Sequence, residues 1–80
     1  MDDLEIVSRI GDLTDEEHAL ERAHTGTALT GAERERLQAI EVALDQCWDL
    51  LRQRRARRDA GGDPSEAAAR PEGVVGGYEQ

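Results

Sequence analysis

The sequence predicts an all-α fold, a two-helix antiparallel hairpin that dimerises to a four-helix bundle, followed by a largely irregular C-terminal tail. Three observations carry this. Two stretches, one on either side of residue 27, place apolar residues at alternating spacings of three and four, the period of a helix packing along another helix. The link between them is short and built from glycine and threonine. Short links of that kind join antiparallel neighbours in helical bundles.

The first helix is expected over about residues 3–24. Asp2 and Asp3 put negative charge at its positive end, and Ile6, Ile10, Leu13, Glu17 and Leu20 follow the seam spacing, with Leu4 and Val7 widening it. Gly11 falls inside and costs about 1 kcal/mol relative to alanine. Thr14 and Glu17 have capping-box spacing, which offers a kink or restart between Gly11 and Thr14 as the alternative to the single helix expected here. The connection from His24 to Thr30 then breaks the pattern at Gly26.

The second helix is expected over about residues 31–59. Thr30 and Glu33 form a capping box in which the threonine oxygen accepts from the N–H three residues on and the glutamate reaches back. Leu37, Ile40, Leu44, Cys47 and Leu51 make the seam, Ala43 and Leu50 widen one side, and Trp48 widens the other. An arc that broad faces more than one neighbouring helix. A single partner would leave Trp48 or Leu50 partly in water. Leu37, Ile40, Leu44, Cys47, Trp48 and Leu51 are therefore the expected packing and dimer interface. Glu41, Asp45 and Asp49 run along one side at spacing four, their mutual repulsion partly offset by Arg52, and the extra length of this helix should carry its arginine-rich end past the first.

That end holds Arg52, Arg54, Arg55, Arg57 and Arg58, charges that suit a helix C-terminus. Ala60, Gly61 and Gly62 can leave the helix in a left-handed conformation. Residues 1–60 thus form the hairpin and 61–80 a flexible or loosely docked tail. In the tail, Asp63-Pro64-Ser65-Glu66 opens a short helix over 64–69, which Arg70-Pro71 stops. Val74, Val75 and Tyr78 are the only apolar residues beyond it.

Eighty residues with a net charge of −8, one Trp, one Tyr and no Phe allow one small helical domain and no large aromatic core. No apolar run approaches the ~20 residues of a membrane span, and the acidic N-terminus lacks the features of a signal peptide, so a cytoplasmic protein is expected. The single cysteine, on the apolar stripe, reads as a small buried hydrophobe.

The chemistry-bearing residues give no enzyme. Asp15, Glu16, Glu17, His18, Glu21 and His24 cluster, and Glu21-x-x-His24 has di-metal carboxylate spacing, but Glu17 and His24 face the seam while His18 and Glu21 lie off it. No metal or other cofactor is expected. Glu17 reads as a polar residue that sets register. The arginine run suggests a partner or polyanion contact. Residues 1–24 carry eight acids against two arginines, −6, and residues 30–59 six acids against seven arginines, +1. Asp2, Asp3 and Glu5 therefore neutralise part of the run across the hairpin, and no aromatic residue interleaves it for base stacking. The expected function is that of a small non-enzymatic interaction protein with an unidentified protein partner and no membrane. A nucleic-acid-associated regulator using Arg52 to Arg58 is the second reading.

The stretch from Leu44 to Ala56, LDQCWDLLRQRRA, with Asp15-Glu16-Glu17-His18 before it and Arg70-Pro71, Val74-Val75 and Gly77-Tyr78 after it, resembles a family of small actinobacterial proteins known only as a domain of unknown function. The likeness spans nearly the whole chain and implies a bacterial cytoplasmic protein. It implies no activity, cofactor or catalytic residue. The absence of lysine among ten basic residues suits a GC-rich genome.

Overall fold

In the computed structural model, which describes residues 2–24 and 26–69, two helices lie antiparallel and a short C-terminal segment folds back on the second. Helix α1 runs Asp3–Ala23 and α2 runs Gly31–Asp59, and no strand occurs among the described residues. The two-helix hairpin expected from the periodicity is the fold.

Both helices start on a capping box. Asp2 caps α1, accepting from the Glu5 N–H at 2.8 Å while the Glu5 carboxylate takes the Asp2 N–H at 3.2 Å. Thr30 and Glu33 cap α2 in the same reciprocal way, at 3.2 and 2.9 Å. Each box satisfies two of the donors that a helix start leaves unpaired. Helix α2 ends with Gly61 at φ 79°, a conformation that favours glycine. Gly62 N–H then reaches Arg57 C=O at 2.6 Å and Gly61 N–H reaches Arg58 C=O at 3.1 Å, the paired bonds of a Schellman ending.

Helix α1 is continuous, as the single-helix reading has it, and the alternative kink or restart between Gly11 and Thr14 is absent. Ile10 and Leu13 flank Gly11 and both pack into the core. Holding them on one seam requires unbroken helical phase, and that packing outweighs the intrinsic cost of one glycine. The Thr14–Glu17 spacing is therefore an unused cap.

Ile6, Leu13, Ile40 and Cys47 are the buried core, with Ile10, Leu20, Ala43, Leu44, Leu50 and Leu51 packed against it. The seams meet as their spacing predicts, except at the edges. Leu4 and Val7 are 81% and 54% exposed, and Trp48 is 43% exposed.

The arginine-rich end does not project. Arg54 pairs with Asp3 through its Nε, and Arg58 pairs with the same carboxylate at 2.9 and 3.3 Å, so these turns lie against the start of α1. Asp2 and Glu5, also expected near the arginines, are engaged in their capping box.

The segment after Gly62 is shorter in helix and closer in contact than its sequence suggests. Asp63 caps a single 3-10 turn, Pro64–Glu66, and Ala67 leaves it in an extended conformation. Its backbone then pairs with Gln53 of α2. The Gln53 amide donates to Ala68 C=O at 2.7 Å and accepts from Ala68 N–H at 3.4 Å. Arg54 Nη1 reaches Pro64 C=O and Arg57 Nη1 reaches the Glu66 carboxylate, both at 3.3 Å. Val74, Val75 and Tyr78 lie outside the described residues.

Candidate functional site

The seam residues divide by role. Ile40 and Cys47 are buried between α1 and α2, while Leu44 and Leu51 are half-buried against them. Leu37, nearer the start of α2, is half-buried as well. The hairpin itself consumes them. Of the six residues expected to pack and to form an interface, Trp48 alone presents a large exposed surface.

Trp48 stands between two hollows of opposite charge. On one side Val7, Trp48 and Leu51 line a hollow of about 400 Å³ that is rimmed by Arg52, Arg55 and Arg58, with Asp3 paired to Arg58 at its edge. On the other side the same indole, with Leu44, borders a shallower hollow lined by Glu17, Glu41 and Asp45. The surface therefore reads basic, apolar, acidic along the axis of α2. Val7 shares the first hollow with Trp48, and Leu4, one turn earlier on α1, extends the apolar patch outward. Leu4 and Val7, expected to widen the seam of α1, lie instead on its exposed edge.

The arginine run is split between structure and surface. Arg54 and Arg58 are held by Asp3, and Arg57 by Glu66. Arg52 and Arg55 lie beside Trp48. The five cations thus do not form one continuous strip for a phosphate backbone.

The acidic cluster of α1 does not converge. His24 Nε2 bonds Glu33 across the hairpin, with Thr27 at 3.4 Å from the other ring nitrogen. Glu16 takes both Nε and Nη2 of Arg36, the latter at 2.6 Å. Among the described residues no three His, Cys, Asp or Glu side chains come together in a group that could hold a metal ion. Glu17 borders the acidic hollow beside Trp48. Burial pushes the Cys47 thiol up against the opposing pull of Arg9, which disfavours the nucleophilic thiolate.

Asp49 is a residue whose burial sequence reasoning missed. It belongs by spacing to the acidic row, yet it is fully buried, and its carboxylate accepts from Gln53 Nε2 at 2.8 Å.

Several carboxyls are held below their ordinary range: Asp3 by bonds from Arg54 and then Arg58, Glu16 by Arg36, Glu33 by the N–H and hydroxyl of Thr30 and then His24, and Asp63 by the N–H and hydroxyl of Ser65. A carboxyl lowered on folding binds fewer protons in the folded state. Its contribution is therefore complete above the unfolded value and is lost as pH falls through the folded one. The thermal midpoint, followed by circular dichroism, should fall as pH drops below about 4. Asp3→Asn should flatten that decline. An unchanged profile in the variant would remove Asp3 from the acid response.

No helix among the described residues is long and apolar enough to cross a membrane. The chain is 51% identical over 77 residues to an uncharacterized protein of Mycobacterium tuberculosis and, equally, to one of Mycobacterium bovis; the match covers 95% of this chain and 88% of each relative. No solved structure matches it. The resemblance carried by the LDQCWDLLRQRRA stretch and its flanks thus extends across the chain. With a family model matching residues 2–80, the protein belongs to the family described as protein of unknown function DUF2630.

Proposed function

We propose that this protein is a small non-enzymatic interaction module of the bacterial cytoplasm and that the Trp48 face is where it binds another protein surface. The observation that carries this reading is the placement of the only tryptophan. In a chain with one Trp and no Phe, the indole lies 43% exposed beside Val7, between a basic and an acidic hollow. Tryptophan and arginine are among the residue types that dominate protein–protein binding energy, and large apolar groups left open together mark interaction surfaces. The state of the chemistry-bearing side chains elsewhere in the hairpin supports the non-enzymatic part of the reading. The thiol is buried with its ionisation disfavoured, Glu16 is paired with Arg36, and His24 is paired with Glu33.

The experiment is site-specific photo-crosslinking of the full chain in cells, with the reactive residue at Val7 and, as a control, at the exposed Ala32 near the start of α2. Adducts are expected from Val7 and not from Ala32. If Val7 gives no adduct of any mass, the reading is overturned.

A nucleic-acid role finds less support, because three of the five arginines are bound to carboxylates of their own chain.

A further inference from the structure

Resting on that reading, we infer that the surface covering the Trp48 face is a second copy of this chain, with the two α2 helices antiparallel about a twofold axis at Trp48. The argument is the order of charges along α2. Glu41, Asp45, Trp48, Arg52 and Arg55 are spaced four, three, four and three residues apart, so they form one line down the helix, parallel to the seam and beside it. The structure sets the two acids of this line, with Glu17 of α1, around one hollow and the two arginines, with the Arg58–Asp3 pair, around the other. Trp48 belongs to both.

The line is antisymmetric about its centre. Glu41 and Arg55 each lie seven residues from Trp48, roughly 10.5 Å along the axis in opposite directions. A twofold axis through Trp48, perpendicular to α2, carries Arg55 of one copy to Glu41 of the other, and Arg52 to the neighbourhood of Asp45. Every pair is made twice, because an isologous interface repeats each contact. The two indoles meet across the axis, where aromatic rings favour offset or edge-to-face contact. A parallel arrangement would set acid on acid and arginine on arginine, so the charge order selects one orientation. Stacking the hairpins this way also brings Val7, which lines the same hollow from α1, toward the interface. Arg52 is engaged within its own chain as well, so Arg55 and Glu41 are the pair that decides the register.

Sedimentation equilibrium of the full chain tests this with Arg55→Glu, Glu41→Arg and their equimolar mixture, circular dichroism confirming that each variant stays helical. The native chain is expected to dimerise. Each single variant sets like charges together twice per dimer and should weaken association roughly ten- to thirtyfold. In a mixed dimer of the two variants, position 55 of each chain again faces an opposite charge at position 41 of the other. The mixture should therefore return the affinity to near the native value. A native chain that stays monomeric to several hundred micromolar overturns the second copy; the crosslinking reading would then stand if Val7 still captured a different protein. A native dimer that Arg55→Glu does not weaken, or a mixture no tighter than its parts, overturns the antiparallel register.

Discussion

Ile40→Ala is expected to lower the stability of the hairpin by about 2–5 kcal/mol, the cost of removing a buried aliphatic side chain and leaving a cavity that only partly collapses. Ile40 has no exposed surface, and it is one of only four buried apolar residues in the described structure. The loss is large against the roughly 5–15 kcal/mol that a whole domain commonly has. Chemical denaturation followed by circular dichroism measures it. Leu37→Ala, at a half-buried position of the same seam, should cost less. Because Ile40 is buried within one chain, its cost should persist at the lowest protein concentrations. Trp48→Ala removes a side chain that is partly in water already, so its effect should grow with the concentration at which any association occurs. An Ile40→Ala variant as stable as the native protein would mean that the seam is not the core.

The seam was legible because helical packing is periodic. Residues 37, 40, 44, 47 and 51 announce one face of α2 from the sequence alone, and the Thr30–Glu33 box marks where the helix begins. The same periodicity fell short on two things for a physical reason. It counts intervals along one helix and carries no information about what crosses that helix from elsewhere in the chain. Asp49 sits in phase with Glu41 and Asp45, and nothing in that spacing marks it as buried, yet it is. Arg54 and Arg58 lie near the end of the longer helix, so length made them project, yet Asp3 holds them both. Gly11 is the complementary case: a local signal for a break was overridden because Ile10 and Leu13 reach the core from either side of it.

The candidate face was only half legible. The breadth of the apolar arc already implied that one partner helix would leave Trp48 or Leu50 partly exposed, and the structure resolves that choice: Leu50 packs on the core and Trp48 stays at the surface. The two hollows beside Trp48 could not be read from α2 alone, since Val7 and Glu17 enter them from α1. That requires the register between helices, which the ion pairs Asp3–Arg54, Glu16–Arg36 and His24–Glu33 display.

Gln53→Ala is expected to release the segment 63–69 and to destabilise the buried Asp49 carboxylate together, because one amide serves both. Its Nε2 donates to Asp49 Oδ2 and to Ala68 C=O, while its Oε1 accepts from Ala68 N–H. Taking one donor from a buried charge costs about 1–3 kcal/mol, and the 3.3 Å contacts of Arg54 and Arg57 with the segment are left to hold it with less support. Elastase cleavage in the run Ala67–Ala69 should quicken about tenfold for each ~1.4 kcal/mol lost from the closed segment, alongside a lower midpoint in chemical denaturation. Gln53→Glu should act more strongly, since a second carboxylate would face Asp49 and the donor would be absent. Release of the segment would also part Arg57 from Glu66 in Gln53→Ala, so retention of that variant on a heparin column should rise. Unchanged cleavage and stability in Gln53→Ala would show that the segment is held without this amide, and that the burial of Asp49 is not coupled to it.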